Sequence, residues 1–125
     1  MSEFFNGTCN MDAIKKIESE LEIQFPISYT KFLCENNGGE WTDIDNGYIY
    51  LWRSEDIVQY SLDYEIRKYL PKGIVAFGMD GDYGYFFDCR KPGEPQIVGC
   101  EFGDLDIAEL KNEAQSFEEF IKRWI

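Results

Sequence analysis

Four consecutive apolar residues, Ile74-Val75-Ala76-Phe77, are followed one stretch later by three consecutive aromatics, Tyr85-Phe86-Phe87. Apolar runs this short and uninterrupted read as buried strands. The residues between them, Gly78-Met79-Asp80-Gly81-Asp82-Tyr83-Gly84, are rich in glycine and aspartate and read as a turn. The pair predicts a β-hairpin with a long loop. Whatever this chain folds into has to cover that hairpin.

The covering elements are legible on both sides of it. Ile14, Ile17 and Leu21 fall on one helical stripe between about Met11 and Glu22, with Asn10 or Asp12 as cap. Pro26 opens a second helix with Tyr29, Phe32 and Leu33 as its apolar face, and Asn36-Asn37-Gly38-Gly39 ends it. Tyr48 to Trp52 reads as a strand, and Ser54 as the cap of a short helix carrying Ile57, Tyr60 and Tyr64. Pro92-Gly93-Glu94-Pro95 is a turn leading into a strand over Gln96 to Phe102. Ser116 and Glu119 form a capping box, after which Phe117, Phe120, Ile121 and Trp124 recur at helical spacing. The expected architecture is a single α+β domain over residues 1–125, with a mainly antiparallel or mixed sheet and helices at both chain ends packed against it. Residues 1–10 are expected to be a loosely ordered N-terminus.

Charge narrows the function. The 125 residues hold 12 Lys plus Arg against 24 Asp plus Glu and no histidine, a net charge of −12. A phosphate backbone is an unfavourable direct partner for such a surface. Without histidine there is no Ser-His-Asp triad, no Cys-His dyad and no His-ligated metal. Cys9, Cys34, Cys89 and Cys100 contain no CxxC pair and are read as buried free thiols of a reducing cytoplasm. No signal peptide or membrane span is evident, so the expected location is cytoplasmic.

Several segments together resemble a known family. Ile14 to Trp41 runs from an amphipathic helix through Phe25-Pro26-Ile27-Ser28-Tyr29-Thr30-Lys31-Phe32-Leu33 to Asn37-Gly38-Gly39. A short apolar strand, Gly78-Met79-Asp80-Gly81, and the aromatic strand ending in Phe87-Asp88 follow, and Ser116-Phe117-Glu118-Glu119-Phe120-Ile121 closes the chain. Each motif is weak alone, but their order and spacing resemble the SUKH superfamily, in its cell-wall-synthesis-regulator (Smi/Knr-type) branch. Tyr83 departs from the glycine-richer turn usual there. The resemblance implies a non-catalytic, cofactor-free immunity protein that neutralises a basic toxin domain, of nuclease type, by stoichiometric occlusion. The alternative it admits is a non-catalytic regulatory protein-interaction module of the same fold. Neither role involves direct nucleic-acid or membrane contact, and a monomer is the favoured state.

Candidate contact residues sit in three loops: Trp41, Asp43, Asp45 and Tyr48; Asp80, Asp82 and Tyr83; and Asp104 and Asp106. Brought to one sheet edge, these would form an acidic rim with aromatic anchors, the mixture found in tight interfaces. Aspartate also favours turns and helix caps for purely local reasons, and Asp104 in particular reads as a cap. Tyr48, Tyr50 and Trp52 share one side of their strand and would form an exposed aromatic patch if that side faces water. Asp80-x-Asp82 fails as a calcium loop, because Gly84, Tyr85 and Lys91 occupy its fifth, sixth and twelfth positions. As an enzyme alternative, Asp88 and Glu101 lie on neighbouring strands and could face each other as a carboxylate pair.

Overall fold

The computed structural model describes Cys9–Ile125 in full and Ser2–Phe5 as backbone. Its elements are β1 (Ser2–Phe5), α1 (Met11–Leu21), α2 (Ile27–Asn36), β2 (Gly39–Asp43), β3 (Gly47–Leu51), α3 (Ser54–Asp63), α4 (Ile66–Tyr69), β4 (Ile74–Asp80), β5 (Tyr83–Asp88), β6 (Gln96–Glu101), β7 (Lys111–Ala114) and α5 (Phe117–Ile121). The seven strands form one antiparallel meander in sequence order, β1 to β7. The α+β expectation holds, with the sheet wholly antiparallel.

The hairpin at its centre is tighter than the sequence suggests. β4 and β5 pair from Ile74↔Asp88 to Asp80↔Tyr83, leaving only Gly81 and Asp82 in the turn, with Gly81 at φ 59°. Gly78 and Gly84 are strand residues. A Cβ on Gly78 would lie 2.9 Å from the Tyr50 carbonyl oxygen, and one on Gly84 2.6 Å from the Phe102 ring. Both glycines therefore serve close approach between elements.

Three strands escape the sequence patterns. β1 lies within the stretch expected to be loosely ordered. β2 hides behind the helix-ending glycines, and polar β7 (Lys-Asn-Glu-Ala) carries the composition of a guarded edge. The helix that Asp104 was expected to cap is replaced by two short 3₁₀ turns, and the side chain of Asp106 caps the second by accepting from Ala108 N at 2.9 Å.

Side chains alternate across the pleat, so each strand supplies both faces. One face carries Trp41, Phe77, Tyr85 and Phe87 against Phe25, Tyr29 and Phe32 around α2 and Phe117, Phe120 and Trp124 around α5. Nearly all of these rings are buried. On the other face, Phe86 packs on Phe102, which stacks on Tyr64 at 4.1 Å, and Trp52 joins the pile against Tyr60. α1 packs on α3 through its Ile14–Ile17 stripe. Trp52 is fully buried, which removes it from the aromatic surface patch predicted for its strand; Tyr48 and Tyr50 remain half-buried.

The Asn37-Gly38-Gly39 signature is a splice between α2 and α3. Asn37 is buried in the left-handed region at φ 49° and ends α2. Its Oδ1 accepts from Ser54 N at 2.8 Å, and its Nδ2 donates to Glu55 Oε1 at 2.8 Å. The α3 N-terminus is thus capped from a distant segment, and the sequence-expected cap, Ser54, is the first helical residue instead. A Cβ on Gly38 would meet the Leu51 carbonyl oxygen at 2.5 Å.

Cys100 is buried, but Cys9, Cys34 and Cys89 are only half-buried, which corrects the expectation of four core thiols. Burial pushes the Cys89 thiol up to about 11. Among the described residues, no helix is long and apolar enough to cross a membrane.

A candidate partner-binding rim

An antiparallel meander sends alternate connections to opposite ends of its sheet. The β2–β3, β4–β5 and β6–β7 connections therefore share one end. They also adjoin: a Cβ on Gly47 would sit 3.9 Å from the Asp80 carboxylate, and Phe102 N donates to the Asp82 carbonyl at 2.8 Å. Cations are unevenly placed along this axis. Segments 43–47, 80–83 and 101–110 hold Asp43, Asp45, Asp80, Asp82, Glu101, Asp104, Asp106 and Glu109, with no Lys or Arg. Nine of the 12 cations lie in segments 9–38, 52–73 and 89–95, between strands that meet at the opposite end, together with ten of the 24 carboxylates, so the net charge there is near zero. Of the other three, Lys111 opens β7 beside the acidic end, and the chain after α5 brings Lys122 and Arg123 toward it. Arg123 is engaged there, with Nη1 donating to Glu113 Oε1 at 3.2 Å and Nη2 donating to the Glu113 carbonyl.

The nine predicted contact residues divide on this surface. Asp45, Asp80 and Asp82 are exposed on the rim. Asp43 stands beside them but builds the β2–β3 turn: its Oδ2 accepts from Asp45 N at 3.3 Å, Asn46 N at 3.2 Å and Asn46 Nδ2 at 2.8 Å. Asp104 and Asp106 are exposed, but their connection folds back beside α3. There they line a separate open cleft with Asp63, Tyr64, Glu65 and Phe102.

Of the predicted aromatic anchors, Trp41 is a correction, while Tyr48 and Tyr83 keep partial exposure. Trp41 is wholly buried, paired across the sheet with Ile49 and packed on Phe32. Tyr83 lies over Gly99, where a Cβ would come within 2.6 Å of its ring, and its hydroxyl donates to Glu113 at 2.6 Å. Tyr48 is half-buried and donates its hydroxyl to Glu40. Partial burial, that hydrogen bond and the charges of Glu40 and Asp80 push the Tyr48 phenol up to about 12.

Asp88 and Glu101 do not form a carboxylate pair. Asp88 pairs with Gln96 at one end of β5–β6, and Glu101 with Tyr83 at the other. Five residues of strand separate them, about 17 Å at the usual rise per residue. Glycosidase carboxylates act across roughly 5 to 9.5 Å. Asp88 is instead clamped by Arg90 through bonds of 2.9 and 2.8 Å, which hold its carboxyl below the ordinary aspartate range despite partial burial.

A profile of the SMI1 / KNR4 family (SUKH-1) matches residues 8–123. The chain belongs to this family. The motifs that carried the resemblance are the ones that build the SUKH-1 frame here: the α1 stripe, the α2 aromatics, the Asn37 splice, the β4–β5 hairpin and the α5 capping box. This SUKH-1 chain is also 31% identical over 87 residues to a Bacillus subtilis (strain 168) protein named Uncharacterized protein YnaB. The match covers 70% of this chain and 55% of that relative, so it spans about half the relative's length.

Glu40, which accepts the Tyr48 hydroxyl, belongs to a strand the sequence concealed. One feature of the rim itself had no sequence signal that singled it out. Ile44 stands at the tip of the β2–β3 turn and is 98% exposed. Its only sequence signature is a β-branched apolar residue between two turn-forming aspartates, which periodicity analysis passes over because it lies on no stripe.

Proposed function

We propose that this SUKH-1 protein is a cytoplasmic, monomeric immunity protein. It binds a basic toxin domain of nuclease type and neutralises it by stoichiometric occlusion, without catalysis or cofactor. The observation that carries the reading is the uneven placement of cations: three adjoining connections at one end of the sheet hold carboxylates and no cation. A nuclease needs a positive groove for phosphate. A rim that presents carboxylates from a stiff sheet imitates the charge of that substrate, and complementary potentials speed encounter.

The test is association with the protein encoded by the adjacent gene, expected to carry a basic toxin domain, measured across a salt series. The expected on-rate falls steeply as ionic strength rises through the range where the Debye length drops below about 10 Å. The triple replacement of Asp45, Asp80 and Asp82 by Asn should weaken binding at least tenfold and flatten that dependence. Wild-type protein that neither binds the domain nor rescues growth of cells expressing it refutes the proposal.

A further inference from the structure

We infer that Ile44 is the apolar anchor of the rim, and that its partner is a basic protein surface with a pocket for one aliphatic side chain ringed by Lys and Arg. The inference rests on the immunity reading above and assigns it a contact residue. A lone exposed isoleucine is ordinary on a protein surface. The setting of this one is not. Turn tips are normally given to Gly, Asn, Asp or Pro, whose backbone and side-chain chemistry makes the turn. Here those tasks are discharged by the neighbours, through Asp43 Oδ2 and Gly47 at φ 82°. Ile44 adds nothing to the fold at 98% exposure.

The turn that displays it is also held rigid. Asn46 Nδ2 bridges the Asp43 carboxylate at 2.8 Å and the Arg123 carbonyl at 2.9 Å, tying the tip to the end of α5. A β-branched side chain has few χ1 states to lose. A pinned backbone and a stiff side chain together lower the ordering cost of binding, which is what an anchor needs. Charge selects the occupant. Asp43 and Asp45 flank Ile44, and Asp80 lies on the adjoining loop. An acidic or neutral partner would desolvate these carboxylates unpaired, whereas Lys or Arg around the pocket would pair them. A second copy of this chain, at −12, is disfavoured for the same reason.

The test uses the full chain and the protein encoded by the adjacent gene, expected to carry a basic toxin domain, titrated by calorimetry over a salt series. Ile44→Ala should weaken binding about 30-fold, the level of an interface hot spot, and leave the salt dependence and the melting temperature unchanged. Ile44→Asp should weaken it further. Ile27→Ala is the control, because Ile27 is 87% exposed at the opposite end of the sheet and should leave affinity within twofold. If Ile44→Ala stays within twofold while the Asp45, Asp80 and Asp82 replacement weakens binding, the anchor is refuted and the immunity reading stands. Equal loss from Ile27→Ala and Ile44→Ala also refutes the anchor. If the wild-type chain does not bind the domain, both are overturned together.

Discussion

Replacing Asn37 by Ala tests whether the family's Asn-Gly-Gly signature is a device of folding. Three contributions are lost at once. The Ser54 N–H, accepted by Asn37 Oδ1 at 2.8 Å, becomes a buried donor without a partner, at about 1–3 kcal/mol. The 2.8 Å bond from Asn37 Nδ2 to the Glu55 carboxylate is exposed on the Glu55 side and contributes about 0.5–1.5 kcal/mol. Alanine also tolerates φ 49° less well than asparagine, at about 1 kcal/mol. The total of about 3–5 kcal/mol is a large share of the 5–15 kcal/mol typical of a domain, and corresponds to a fall in Tm of about 10–20 °C. Asn37→Gly separates the terms, because it loses both bonds but relieves the backbone; it should be about 1 kcal/mol more stable than the alanine variant. The assay is urea denaturation of wild type and both variants at pH 7, followed by tryptophan fluorescence.

The same experiment has a pH signature. The hydrogen bond from Asn37 is the largest cause holding the Glu55 carboxyl below its ordinary value of 4.5. A carboxyl lowered in the folded state contributes stability above its unfolded value and loses it as pH falls through the folded one. The stability gap between wild type and Asn37→Ala should therefore narrow below about pH 4.5. An Asn37→Ala variant that loses less than 1 kcal/mol at pH 7 refutes the splice as an energetic element, and a gap independent of pH refutes the Glu55 part of it.

Other perturbations separate frame from rim. Gly38→Ala places a methyl 2.5 Å from a backbone oxygen and should leave little folded protein, seen as loss of the cooperative thermal transition. Asp43→Ala removes the acceptor of the β2–β3 turn and should cost about 1 kcal/mol, whereas Asp45→Ala should change Tm by no more than about 2 °C. The Tyr48 phenol, pushed up to about 12, should ionise well above the ordinary tyrosine value of 10 in an ultraviolet titration. Glu40→Gln should bring it back toward 10. Because the folded value is the raised one, its stabilisation is complete below pH 10 and is lost as pH climbs through 12.

Much of the frame was legible because its signals are local. A helical stripe, a capping box and a run of β-formers each declare themselves within a few residues, as α1, α5 and β3 did. β2 and β7 were not legible, since Glu-Trp-Thr and Lys-Asn-Glu become strands only by pairing with neighbours already in place. Gly78 and Gly84 misled for a related reason: as letters they mean a turn, and only the carbonyl and ring pressed against them reveal close approach.

The rim divides in the same way. Sequence alone determined that the chain is acidic, that three of its loops each carry a pair of aspartates, and that histidine chemistry is absent. Only the tertiary structure decided that those turns share one end of the sheet, because that depends on the parity of a meander. It withdrew Trp41 from the surface and laid Tyr83 against Gly99, since an aromatic's exposure is set by what packs across from it. It also left Ile44 outside, on a turn whose neighbours supply every bond that holds it.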